Sequence, residues 1–262
     1  MNRRWIYLGV IALVVFLGAL LLRTPALWIL AGTNRLLPAD ISWNDAHGTI
    51  SGMVIRGLTF RLPGGRRAYI SKVTLDPAFL SLFGGRLGLE FRIDDGGKAV
   101  SGSAGFSLYH WRLEEIEGEL PLTALLPTLP ELEIAGLDGG LTIRGEAVSG
   151  EYGSLPDAGR LTVGFEDIRA IWLQTDRPLG DYLLELQAFE QAGISGDLST
   201  LPGPALFTVT GSVMHEPSLQ TLKFSGMGRL SPDAPTPLRR ILPFLGRAGR
   251  DSVTMEWQLT PD

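Results

Sequence analysis

The sequence predicts an all-β body preceded by one N-terminal transmembrane helix. The body reads as a large curved, mostly antiparallel sheet with one apolar face and a few short helices. Three observations carry this. Trp5–Leu22 reads WIYLGVIALVVFLGALLL, with no charged side chain. Beyond about Thr24, short stretches of alternating apolar and polar residues follow one another, punctuated by Gly, Pro and Asp. Long stretches of helical periodicity are scarce there.

The anchor comes first. Eighteen residues in a helix extend about 27 Å at 1.5 Å each, close to the roughly 30 Å hydrocarbon core of a bilayer. Arg3 and Arg4 precede the run and Arg23 follows it; such side chains snorkel to the interface, where Trp5 and Tyr7 are also at home. A cleaved signal peptide has an apolar core of about 7–15 residues and then a small-x-small site. Here the run ends Leu20-Leu21-Leu22-Arg23-Thr24-Pro25 with no small pair, which reads as an uncleaved signal anchor. A buried core helix fits poorly, because the segment is apolar all round. Two arginines in a very short tail place that tail in the cytoplasm by the positive-inside rule. The expected layout is a tail at 1–4, an anchor at 5–22, a membrane-proximal helical linker at 23–37, and a β domain at 38–262 across the membrane. In a Gram-negative bacterium that side is the periplasm. The absence of cysteine is compatible with that compartment without requiring it.

Bulk properties narrow the partners. The net charge of −5 argues against nucleic acid. With 33 Gly and 17 Pro the chain is turn-rich, yet 45% hydrophobic residues keep it in the globular class. After the anchor enough chain remains for one large β domain or two small ones.

In order, Thr24–Leu37 suits a helix at the membrane surface, with Pro25 in its first turn and Pro38 ending it. Strand signals follow over Ile41–Thr49 and Thr49–Leu62, where Gly57 marks a change of phase between Ile55 and Leu58. Tyr69–Leu75 reads as a strand, and Asp76-Pro77 as the opening of a short helix over Ala78–Phe83. Arg86–Asp94 has the cleanest alternation in the chain: Leu87, Leu89, Phe91 and Ile93 face one way, and Arg86, Glu90, Arg92 and Asp94 the other. Asp95-Gly96-Gly97 turns the chain into Ala99–Leu113. Glu117–Leu120 is a strand, Leu122–Leu126 a helical turn, and Gly140–Ala147 a strand with Leu141 and Ile143 inward. Leu161, Val163 and Phe165 form the next apolar row, continued by Ile168–Leu173. Rows at Tyr182–Ala188, Ala205–Val213 and Leu222–Leu230 follow. Thr236–Leu245 reads as a short helix with Thr236 as N-cap and Pro237 at N1. The closing row is Val253, Met255, Trp257 and Leu259.

These signals amount to roughly eleven to thirteen strands. Helical residues are too few to cover so long an apolar face. The face must close on itself as a sandwich or barrel, or curl into a trough filled by ligand, lipid or partner. Leu87, Leu89, Phe91 and Ile93 are the candidate trough wall. Arg239 and Arg240, in a basic stretch that also holds Arg247 and Arg250, are candidates for contact with anionic headgroups or an acidic partner.

No catalytic constellation stands out. His47, His110 and His215 lie dozens of residues apart and lack ligand spacing for a metal. The chain has no G-x-S-x-G elbow, P-loop or dinucleotide fingerprint. Glu114, Glu115 and Glu117 read as a solvated strand edge, and Asp94-Asp95-Gly96-Gly97 as a hairpin turn. The expectation is a protein that is not an enzyme, with no cofactor and no metal.

Several stretches carry a resemblance. They are LPADISWNDAHGTISGMVIRGLTF after the anchor, VTLDPAFLSLFGGRLGLEFRI, the Leu179-Gly180-Asp181-Tyr182 turn, and LRRILPFLGRAGRDSVTMEWQL near the end. In these the chain resembles the general secretion pathway protein N family of type II secretion systems. Val73–Ile93 is also similar to the AsmA and TamB group. The first resemblance implies an accessory component at the inner membrane with other secretion subunits as partners. The second implies a curved sheet whose groove carries lipid acyl chains. Neither brings a catalytic motif.

Overall fold

Among the described residues every strand adds edge to edge to one sheet, which joins their apolar rows into one continuous face that pairing alone does not bury. The computed structural model describes residues 41–49, 51–61, 67–78, 87–124, 136–152, 156–173, 175–189, 193–216 and 221–259. The anchor 5–22, the linker 23–37 and positions 79–83 of the expected short helix lie outside the described residues. Among the described residues, no helix is long and apolar enough to cross a membrane.

Strands β1 (Ile41–Ser42) and β2 (Asp45–Thr49) both pair with β3 (Gly52–Arg61). From β3 the chain runs as a meander through β4 (Arg67–Ala78), β5 (Leu87–Asp95), β6 (Lys98–Phe106) and β7 (His110–Pro121). It continues through β8 (Leu137–Glu151), β9 (Ala158–Ala170), β10 (Gly180–Phe189) and β11 (Gly193–Thr200). After β12 (Phe207–Glu216) and β13 (Thr221–Leu230), one helix, α1 (Thr236–Leu245), precedes β14 (Arg247–Ala248) and β15 (Ser252–Leu259). β15 returns to pair with β13, and β14 lies outside it, giving a sheet of 15 strands among the described residues. Neighbours along the meander are antiparallel, as tight connections require.

The register carries one apolar face across the whole sheet. Ile55 stands opposite Val73, Val73 opposite Ile93, and Ile93 opposite Val100. Further on, Leu141 meets Phe165, which meets Tyr182. At the far side Val213 meets Phe224, which meets Trp257. Bulges keep this face in phase. Leu113 and Ile116 differ by three, so strict alternation would place them on opposite faces. A register shift in β6–β7, with Glu115 at φ 53°, returns both to the apolar side. The opposite face is polar: Lys72 Nζ lies 3.1 Å from Asp94, Arg92 Nε 2.9 Å from it, and Arg144 Nη2 2.8 Å from Glu117. The hydrogen bond from Lys72, then Arg92, holds the Asp94 carboxyl below its ordinary range.

The sheet curls. Cα atoms of β5 and β7, and of β10 and β12, come within 8 Å although a strand lies between each pair. In a flat sheet second neighbours stand about 9.6 Å apart. Large side chains lie against the glycines of adjacent strands. A Cβ added at Gly102 would sit 3.0 Å from Phe91 Cζ, and one at Gly211 2.7 Å from Phe224 Cζ. The inner surface is thereby smoothed without side chains standing up from every position.

Several expectations are corrected. The expected single large antiparallel sheet is found, and of the closures left open neither occurs among the described residues: no second sheet covers the face, and β1–β2 and β14–β15 do not pair into a barrel. There are more strands than expected, because two-residue pieces flank both edges. Ala99–Leu113 is not one strand: Ser107 binds the His110 carbonyl through its amide (2.9 Å) and its hydroxyl (3.1 Å), which turns the chain between β6 and β7. Asp76, Pro77 and Ala78 belong to strand β4, so the expected short helix does not begin at Ala78. Ile171–Leu173 leaves the sheet as a 3₁₀ turn. Thr236 is the first helical residue and not the cap, because the Pro235 carbonyl accepts from the amide of Leu238 at 3.0 Å.

Candidate functional site

Helix α1 is the only α-helix among the described residues, and it covers only part of the apolar face. Leu238 and Leu242, 3% and 2% exposed, seat it on Leu230, Val253 and Met255. Both ends are pinned. Arg239 donates to the carbonyls of Ala234 (3.3 Å), Ser231 (3.4 Å) and Pro232 (2.9 Å) and pairs with Asp251. The indole of Trp257 donates to the Leu245 carbonyl at 3.0 Å. The loop before the helix is clasped by Asp233, which accepts from Ser231 and pairs with Arg177. These two partners, Ser231 first, hold its carboxyl down to about 2.

Held this way, α1 overhangs a groove of about 720 Å³. Phe165, Tyr182, Leu184, Leu198, Val209 and Val213, from β9 to β12, form its floor. Ile241, Phe244 and Leu245 form one wall, and Leu122, Trp172 and Leu179 the other. Apart from the Tyr182 hydroxyl and the Trp172 indole nitrogen, these side chains carry no polar atom. The Tyr182 hydroxyl is already committed: it donates to the Phe207 carbonyl at 2.8 Å, and burial raises its pKa well above the ordinary tyrosine value. The described lining therefore suits apolar material, and none of its side chains is a free acid, base or nucleophile.

The residues singled out from sequence are distributed differently. Leu87, Leu89, Phe91 and Ile93 share the apolar face, but none lines this groove. Ile93 packs against Ile55 and Val73, and Leu87 is half exposed. Arg239 is engaged in fastening the helix, whereas Arg240 is exposed and makes no ion pair among the described residues. His47 lies 2.5 Å from Asp45, His110 3.9 Å from Glu151, and His215 sits strands away from both. Glu114 and Glu117 are paired with Arg112 and Arg144. No group of three metal-ligating residues exists among the described residues. The groove itself escaped the sequence reading. Its alternating rows at Tyr182–Ala188 and Ala205–Val213 were visible, but nothing in them said that a helix beginning further along at Thr236 would stop short of covering them.

These features define a class: among the described residues, a single-sheet β protein with a partly open apolar face. A family model described as "Type II secretion system (T2SS), protein N" matches residues 39–255, which spans nearly the whole sheet. The chain belongs to that family. No curated protein and no solved structure matches the chain.

Proposed function

We propose that this protein is a non-enzymatic accessory component of a type II secretion apparatus. It is held at the inner membrane by Trp5–Leu22, and its β body contacts other subunits in the periplasm. The family match over residues 39–255 carries the reading. Two features support a docking role. Among the described residues β14 pairs with only Thr254 and Val253 of β15, and no strand pairs with the rest of that edge, which suits an added strand. The polar face presents both signs of charge, which suits specific contact over general stickiness.

Secretion of a substrate protein from a strain lacking the gene is the direct test. Complementation with the full chain is expected to restore it, and failure to restore it would sink the reading. A reporter active only outside the cytoplasm, fused after Asp262, is expected to be active, with Met1 or Asn2 retained. An N-terminus near Thr24 would remove the anchor. Alanine at His47, His110, His215, Glu114 or Glu115 is expected to leave secretion near wild type. Complete loss at one of them in a folded protein would restore an enzymatic reading.

A second reading is an AsmA-like lipid-handling protein. The apolar groove beside α1 favours it.

A further inference from the structure

We propose that the free edge of β15 receives an extended segment of a partner protein, which adds a strand beside Met255–Gln258. That segment alternates apolar and polar residues, with an apolar side chain beside Trp257 and a lysine or arginine beside Glu256. The proposal deepens the docking reading given above and rests on it.

The backbone selects the occupant. Gly249 donates its amide to the Ser252 carbonyl at 2.7 Å on the β14 side, and Leu230 donates to the Asp251 carbonyl at 2.9 Å on the β13 side. Successive residues of a strand alternate in this respect. The backbone groups of Thr254, Glu256 and Gln258 therefore point away from β13, as those of Ser252 do. Arg247 of β14 stands opposite Thr254, and the pairing goes no further along β15. The amides and carbonyls of Glu256 and Gln258 thus face outward with no strand beside them among the described residues. Such a row of donors and acceptors is matched by extended backbone, whereas an apolar ligand has nothing to offer it.

The edge is also unguarded. Exposed edges are commonly blunted by proline, lysine, a bulge or shortness. Met255–Gln258 contains no proline, glycine or lysine, and the register with β13 runs unbroken from Ser252 to Leu259. The other edge of the sheet is different. There β1 and β2 are short pieces separated at Trp43 and Asn44, and Gly48 sits at φ +100°.

Side chains define the partner's pattern. The apolar row of Val213, Phe224 and Trp257 stops at this edge. The Trp257 ring lies 5.3 Å from that of Phe224 and its indole donates to the Leu245 carbonyl, yet the residue is 47% exposed. A fixed, half-bare tryptophan is the kind of anchor on which interfaces concentrate their energy. On the polar face, Glu256 is exposed and makes no ion pair among the described residues. An opposite charge on the next strand stabilises such a position.

A second copy of this chain does not fit. Two β15 edges paired antiparallel would aim their anchored ends in opposite directions. Paired parallel about a two-fold axis, they would set the apolar row of one copy beside the polar row of the other.

The test places a benzophenone amino acid at Trp257 of the full-length chain in secreting cells, and maps adducts after irradiation. Expected is an adduct to a different protein, within an alternating segment that carries Lys or Arg. Gln258→Pro removes only the outward amide, which edge strands tolerate. It is expected to lower the adduct several-fold in a chain that still resists limited proteolysis. Gln258→Ala keeps the amide and is expected to keep the adduct, and Glu256→Lys to lower it several-fold. No adduct, an adduct indifferent to Gln258→Pro, an adduct joining two differently tagged copies, or adducts to lipid alone would overturn the proposal. Glu256→Lys without effect would overturn the basic side chain in the partner. Should Gln258→Pro not accumulate, amide exchange of the wild-type chain decides. The Glu256 and Gln258 amides are expected to exchange slowly in membranes from secreting cells and fast in the purified chain; equal rates would overturn strand addition. Secretion is scored separately. Restored secretion without the adduct sinks this proposal and leaves the secretion reading standing. The adduct, with its loss in Gln258→Pro, in a chain that does not restore secretion would do the reverse.

Discussion

Leu141→Glu is expected to leave the full chain without a folded body. Leu141 is 0% exposed, stands opposite Leu120 and Phe165 in the register, and packs with Leu122 and Ile168. An unpaired charge there costs several kcal/mol, set against a total of roughly 5–15 kcal/mol for a whole domain. The informative comparison is Leu184→Glu. Leu184 lies on the same apolar face two strands away, but on the open groove floor, where a carboxylate keeps part of its water. That variant is expected to stay folded with a modestly lowered melting temperature. Thermal unfolding and limited proteolysis of the full-length protein read both. Equal collapse of the two would show that the groove is sealed core. A folded Leu141→Glu would show that the centre of the sheet is not packed as described.

Gly159→Ala is the second large effect, and it acts through the backbone. In β8, Ala147 at φ 47° and Val148 together oppose Gly159 in β9, so the strand pair carries a bulge at this point. Gly159 sits at φ +113°, and a Cβ there would lie 2.5 Å from Val148 Cα and 2.7 Å from the Ala147 carbonyl oxygen. Those atoms are main chain and cannot swing aside. We expect a loss of roughly 2–6 kcal/mol, adding about 1–3 for a residue forced to positive φ and about 1–3 for overpacking. Gly97→Ala is the matched control: its φ is +81°, but nothing lies within 4 Å of the added carbon. It carries the positive-φ penalty without the clash, so it should cost about 1–3 kcal/mol, the backbone share alone. Denaturant unfolding midpoints compare the two. Equal losses would locate the whole cost in the backbone angle and remove the bulge from the account.

Both predictions depend on features of unequal visibility in the sequence. The alternation of Leu87, Leu89, Phe91 and Ile93 against Glu90, Arg92 and Asp94 was readable because strand side chains have a period of two, and the register bears it out. The phase change at Gly57 was readable too, and the residue adopts φ +62°. The bulges at Glu115, Ala147 and Asp167 were not. Each is a non-glycine residue at positive φ, held there by pairing across strands, and side-chain type alone does not announce that. The Ser107–His110 turn was missed for a similar reason. It uses no Gly or Pro and is closed by a serine side chain and amide.

The sequence by itself determined that the body is all β, that one face of it is apolar, and that short turns join antiparallel neighbours. These are local properties, set by period-two patterning and by turn residues within a few positions of one another. Only the tertiary structure decided that the strands build one sheet without a second layer, that Leu238 and Leu242 seat α1 on Leu230, Val253 and Met255, and that the strip from Phe165 to Val213 stays open beside it. The physical reason is that an apolar face specifies burial without specifying against what. The choice among a second sheet, a helix and an outside molecule rests on register, bulges and curl, which arise from contacts between distant parts of the chain.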